Sequence, residues 1–203
     1  LSDERAQGNF EACVKHKNPD LLADAIPRLY EAGLLSGEQG QHYFEACANH
    51  QDPYPLALAI RSLYSSGLLA GEQGPQYVEA CANHQKPYWL AQAIFELHEA
   101  GLLAGEQGPQ YVEACANHQN PVKLARAISY LHKAGLLAGE QGPQYFEVCT
   151  KHQDPLRLAL AIRSLHEAGL LLGEQGQQYF EACRSHPSPD GLAWAIRRLH
   201  EAG

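Results

Sequence analysis

The chain has 203 residues, 45% of them hydrophobic and 19% charged, which are the proportions of an ordered chain and not of a disordered tract. It contains no run of about 18 apolar residues and no secretory leader is read at its start, so neither a membrane span nor a membrane partner is expected. With 23 acidic against 15 basic residues the net charge is −8, which argues against a phosphate backbone as partner.

The chain repeats itself. Cys13, Cys47, Cys81, Cys115, Cys149 and Cys183 fall at a constant spacing of 34, as do Gly33, Gly67, Gly101, Gly135, Gly169 and Gly203. A fixed period of this length predicts an all-α fold, an α-solenoid of six helix-turn-helix repeats. The repeats run 1–34, 35–68, 69–102, 103–136, 137–170 and 171–203, and are expected to form one domain over 1–203. A right-handed superhelix that lengthens by about 9–10 Å per repeat is the expected form.

The first repeat opens on Leu1-Ser2-Asp3-Glu4-Arg5, which places Ser2 as the cap of a first helix whose buried stripe includes Phe10 and Cys13. Later repeats put glycine and proline in that first turn, as in Leu137-Ala138-Gly139-Glu140-Gln141-Gly142-Pro143. A short irregular turn followed by a helix over Pro143 to His152 is expected there, the alternative being a strained helix from near Gly139. Phe146 with Cys149 and Val112 with Cys115 would continue the buried stripe.

The second helix is announced by an acceptor before proline: Asn18-Pro19, Asp52-Pro53, Asn120-Pro121, Asp154-Pro155 and Ser188-Pro189, with Lys86-Pro87 the one departure. In the fourth repeat Leu124, Ala125, Ala127, Ile128 and Leu131 follow at helical spacing, and Gly135 stops a helix expected over Pro121 to Ala134. Small Ala125 and Ala127 permit close helix approach, and pairs such as Leu102 and Leu103 are expected to pack between repeats.

The six cysteines hold one equivalent position. In stacked repeats such positions would sit about one helix-packing distance apart, roughly 9–10 Å, beyond the ~7 Å Cα separation a disulfide tolerates. They are read as free, buried thiols of a reducing, cytosolic compartment. Two acidic ladders, Glu4 to Glu174 and Glu11 to Glu181, account for 12 of the 23 acids and belong to the scaffold.

Written out as AGLLAGEQGPQYVEACANHQNPVKLARAI, the repeat resembles a family of helical tandem repeats of about 34 residues from effector proteins of intracellular bacteria, whose units read AGLLTGE-N-A-Q-x-N-F, then His-x-(Asn/Asp)-Pro, then Leu-Ala-x-Ala-Leu. The first repeat is nearest, with Ala6-Gln7-Gly8-Asn9-Phe10, while Ala70, Ala104 and Ala138 stand where the family has threonine. The resemblance implies an α-solenoid segment of a secreted bacterial protein acting in a host cytosol. A weaker likeness is to transcription-activator-like effector repeats, which carry Gly-Gly in the inter-helix loop where this chain carries proline.

Cys115 and His118 form a Cys-x-x-His that recurs in every repeat to Cys183 and His186. Each pair offers two ligands where tetrahedral zinc needs four, so neither metal nor cofactor is expected. His98, His132, His166 and His200, at the last turn of the second helix, are read as dipole partners, since Tyr30 and Tyr64 replace them. No nucleophile with a base, phosphate loop or paired-carboxylate cleft is legible, so no catalytic residue is assigned.

The variable positions are more informative. Asp24, Leu58, Gln92, Arg126, Leu160 and Trp194 occupy one; Pro27, Arg61, Phe95, Ser129, Arg163 and Arg197 the next; Arg28, Ser62, Glu96, Tyr130, Ser164 and Arg198 a third. Their spacing traces one face of the second helices. With Trp89 added, the face predicts a non-catalytic protein-interaction scaffold. Three alternatives stand beside it. The loop residues Asn18, Asp52, Lys86, Asn120, Asp154 and Ser188 could read one nucleotide each; the Tyr77, Tyr111 and Tyr145 ladder would suit a periodic ligand; and a chain without Met in strict repeat register is what an engineered scaffold or an excerpt of a longer array would show. Terminal repeats without polar caps predict end-to-end self-association.

Overall fold

The computed structural model describes the backbone of residues 3–202 and the side chains of residues 7–202; the predicted Ser2 cap lies outside them. Among the described residues the fold is all-α, an α-solenoid of six helix pairs without a strand. The first helices are α1 (Asp3–Lys15), α3 (Gly37–Asn49), α5 (Gly74–Ala82), α7 (Gly108–Ala116), α9 (Gly142–Lys151) and α11 (Gly173–Ser185). The second helices are α2 (Pro19–Glu31), α4 (Pro53–Ser65), α6 (Pro87–Glu99), α8 (Pro121–Lys133), α10 (Pro155–Glu167) and α12 (Pro189–Glu201).

The chain divides into two compact units, Leu1–Phe95 and Glu96–Gly203. In the first, α2 lies along α4, and α3 packs on α4 and α5. In the second, α8 packs on α10 and α10 on α12, with α7, α9 and α11 each packed on its own partner.

Every second helix spans 13 residues because its two ends are set chemically. Proline begins it. A glycine ends it: Gly33 has φ +72°, its N–H donates to the Tyr30 carbonyl at 2.9 Å, and the Leu34 N–H reaches back to Leu29 at 2.9 Å. That pair of bonds is a Schellman motif, closed by apolar contact between its flanks. Leu29 and Leu34 are both buried, and the same bonds recur after Gly67, Gly101, Gly135 and Gly169.

The first helices are either 13 residues long or shorter by three or four, and proline decides which. Where Gly-Pro occurs, α5, α7 and α9 start at Gly74, Gly108 and Gly142 and run 9, 9 and 10 residues. A tight turn precedes each, as in the Gly74 N–H to Gly71 carbonyl bond of 3.0 Å. Gln41 and Gln177 replace the proline in α3 and α11, supply the N–H that proline lacks, and the helices extend to 13 residues. The expected short turn is therefore found in three repeats and the earlier start in two others.

The buried stripe of the first helix includes the expected Val112, Cys115 and Cys149, with Phe146 half-buried, and is wider than expected by a tyrosine position. It runs through Tyr43, Tyr77, Tyr111 and Tyr145, each at most 6% exposed, together with the cysteines. Phe10 is 63% exposed. The phenylalanine position packs edge-on against the tyrosine of the preceding repeat, Phe146 on Tyr111 at 5.3 Å and Phe180 on Tyr145 at 5.4 Å, and among the described residues no ring packs on Phe10. The tyrosine hydroxyls are used internally, Tyr77, Tyr111 and Tyr145 donating to Gln73, Gln107 and Gln141 one turn earlier. Burial and this bonding remove the tyrosine ladder as a periodic binding face.

Candidate interaction surface

The inter-helix turn is organised by histidine. The Nδ1 atoms of His16, His50, His84, His118, His152 and His186 accept the N–H of the residue two positions on, Asn18, Asp52, Lys86, Asn120, Asp154 and Ser188, at 2.8–3.0 Å. An accepting Nδ1 places the proton of a neutral ring on Nε2. That second nitrogen reaches the next repeat: His16 Nε2 meets the His50 carbonyl at 3.0 Å and His118 Nε2 the His152 carbonyl at 3.2 Å. In these two repeats the ring orders its own turn and joins it to its neighbour. Burial lowers the pKa of His84, favouring the neutral ring that this geometry uses.

This bonding corrects the expected cap chemistry. Asp154 alone accepts a helix N–H in its predicted manner, from Arg157 at 3.4 Å; Asn18, Asp52, Asn120 and Ser188 make no side-chain cap bond. Lys86 is tolerated because the histidine bonds its backbone. Several loop side chains instead stitch repeats together, Asn18 Nδ2 donating to the Gln51 carbonyl at 2.9 Å and Asp154 receiving Lys123 Nζ at 2.7 Å.

Cys47, Cys81, Cys115, Cys149 and Cys183 are buried and Cys13 is partly so, all as free thiols. Burial pushes Cys47, Cys81 and Cys149 up to about 12 and Cys183 to about 11, and raises Cys115 and Cys13. Thiolate is the reactive form, so the five buried thiols are inert while folded. With a chromogenic disulfide reagent at pH 8, Cys13 is expected to react first and the five others only on unfolding. Rapid reaction of all six in the native chain would contradict this. Among the described residues no group of three or more His, Cys, Asp or Glu side chains is placed to hold a metal ion.

The variable face divides on inspection. Asp24, Trp89, Arg126, Tyr130 and Trp194 are exposed, with Trp89 at 53% and Trp194 at 65%. Leu58, Gln92, Phe95, Leu160, Arg163 and Arg197 are half-buried, and Ser129 is buried. Much of the variation is paired between adjacent repeats. Gln92 donates to Ser62 at 3.0 Å, Arg126 grips Glu96 at 2.8 and 3.0 Å, Arg163 lies 5.9 Å over the Tyr130 ring, and Arg197 donates to Ser164 at 3.2 Å. In each case the earlier repeat supplies the third variable position and the later one the first or second. The structure also adds a residue that the sequence pattern leaves out, Tyr88, 37% exposed and edge-on to Trp89 at 5.6 Å. Two adjacent aromatics in a first helical turn are its signal.

Compared with family models, curated proteins and solved structures, the chain matches none.

Proposed function

We propose that the chain is a non-catalytic protein-interaction scaffold of the bacterial-effector repeat type it resembles, working in a reducing cytosol. The observation that carries this reading is the exposure of Trp89, Tyr88 and Trp194 on second helices, where residues change from repeat to repeat. Large aromatics dominate contact energy in protein interfaces, and the contacts found at these two tryptophans, Tyr88 against Trp89 and Arg198 over Trp194, lie within their own helices and join no repeats. The turn histidines and the cysteines, the other candidates for chemistry, are already engaged in turns and core. A nucleic-acid reading has less support, since Asn18 and Asp154 spend their side chains on neighbouring repeats.

The test is capture of partners from host-cell lysate by the full chain and by a triple variant, Trp89→Ala, Phe95→Ala and Trp194→Ala. A true anchor is expected to lose about 2 kcal/mol of binding on truncation, so specific partners should vanish while the circular dichroism stays unchanged. Undiminished capture by the variant would overturn the choice of face. A salt-sensitive gel shift of DNA or RNA would overturn the reading itself.

A further inference from the structure

Within Glu96–Gly203 the first turns of the second helices are tied by alternating charges. Asp154 stands between two cations, Lys123 of the preceding repeat at 2.7 Å and Arg157 of its own at 3.7 Å, and Arg157 reaches on to Asp190 of the next repeat at 3.9 Å. Each charge there is answered inside the chain. Within Leu1–Phe95 the positions equivalent to Lys123, Asp154 and Arg157 are Pro55, Lys86 and Trp89. Lys86 takes the place of the aspartate, and a proline and a tryptophan take the places of its partners. Its backbone N–H is held by His84 at 2.8 Å, while its side chain is exposed and makes no ion pair among the described residues.

The surface that goes with it is aromatic. Trp89 is 53% exposed and lies edge-on to Tyr88, with ring centroids 5.6 Å apart and planes at 70°, so each ring fixes the other. Tyr54 and Pro55 are half-buried in the equivalent turn of the repeat before, and Gln92, donating to Ser62 at 3.0 Å, holds α6 to α4. Arg61, next to Ser62, is a second exposed cation without an ion pair among the described residues. Acids are few: Asp52 is half-buried at the start of α4, and Glu96 is gripped by Arg126. Lys86, Trp89 and their companions belong to the second and third repeats, each of which has a repeat on either side.

We infer, on the reading of Trp89 as a protein anchor, that this face of α4 and α6 takes an acidic peptide segment of the partner. The segment sets an aromatic or leucine side chain against Trp89 and Tyr88, and a neighbouring Asp or Glu carboxylate against Lys86. That carboxylate supplies from outside the charge that Lys123 and Arg157 find in Asp154. Apolar walls strengthen such a pair, because less water screens it. Tyr88 and Trp89 are already ordered against each other, so little side-chain freedom is lost on binding. Two cations on a chain of net charge −8 are few for a nucleic-acid backbone, which draws a cation to each phosphate it contacts.

Selection of a random-peptide display library on the full chain tests this, with the enriched peptides remade and their binding measured by fluorescence anisotropy. Enriched sequences are expected to place Asp or Glu beside an aromatic or leucine. Trp89→Ala should weaken them at least roughly tenfold, and Lys86→Asp roughly tenfold. Aspartate is the residue that Asp52 and Asp154 already place at this position, so folding should survive, and circular dichroism checks both variants. Selected on Lys86→Asp, the same library should exchange its acids for Lys or Arg. Peptides that need Trp89 but ignore the charge at residue 86 would overturn the acidic partner and leave the interaction face standing. Peptides indifferent to Trp89→Ala, or no enrichment at all, would overturn the face as well. A single-stranded oligonucleotide that displaces the peptides and loses affinity in Lys86→Asp would assign the site to nucleic acid and overturn the inference.

Discussion

Replacing Leu131 by alanine is expected to lower the unfolding free energy by about 3 kcal/mol, while Leu199→Ala costs well under about 1 kcal/mol. The two residues share chemistry, helix position and repeat register, and differ in burial: Leu131 is 0% exposed and Leu199 75%. At Leu131 the substitution removes buried methyl groups and leaves a cavity between helices that the neighbouring Leu124, Ala127 and Ile128 cannot close without shifting their own contacts. At Leu199 the same atoms leave mostly water. Urea unfolding followed by circular dichroism at low protein concentration measures both. Equal losses would mean that Leu199 is covered in solution.

That contrast also shows why the sequence is easier to read for fold than for faces. The second helices are legible to within a residue, Pro121 to Ala134 expected and Pro121–Lys133 found, because proline and glycine act on their own backbone and need no neighbour. The first helices are half legible, since the start at Gly142 or at Gly173 depends on whether Pro143 or Gln177 follows. Burial is harder. Phe10 and Phe180 hold the same place in the repeat, yet one is 63% and the other 2% exposed, a difference made by the preceding repeat's tyrosine and invisible in either residue alone.

The caps and the variable face mislead for the same reason. Asn18, Asp52 and Ser188 have the composition of N-caps, but their side chains make no cap bond, and the turn is ordered by the histidine two residues earlier, which accepts each residue's own backbone N–H. Position-by-position variation looks like one free face. It is partly a set of matched pairs between neighbours, Arg126 with Glu96 and Gln92 with Ser62, so a change at one place is answered one repeat away. Pairs this exposed add at most about 1 kcal/mol each, and their larger effect is on which repeat follows which.

Gly142→Ala is expected to cost about 3 kcal/mol, against less than about 0.5 kcal/mol for Gly139→Ala three residues earlier. The glycines of Gly-Glu-Gln-Gly look alike in sequence and do different work. A Cβ on Gly142 would overlap the Leu137 carbonyl oxygen and lie 2.6 Å from its carbon, and these are backbone atoms that cannot rotate away. The chain descends from Gly135 through Leu136 and Leu137 and turns back so sharply that α9 begins in contact with that backbone, which glycine alone permits. A methyl there must push α9 from α10, separating Cys149 and Tyr145 from the core they fill. A Cβ on Gly139 would meet nothing within 4 Å, and its φ is not positive, so alanine adds only a restraint on the unfolded chain. Gly135→Ala falls between them at about 1–2 kcal/mol, the cost of holding an L-residue at the φ of +71° found there. Chemical denaturation of the three single variants ranks them, and the order Gly142, Gly135, Gly139 is the outcome that the geometry requires. A Gly142→Ala variant as stable as Gly139→Ala would show that the first helix is free to move off the preceding leucines, and would leave unexplained why every repeat from Leu35 to Leu171 sets its second leucine against that glycine.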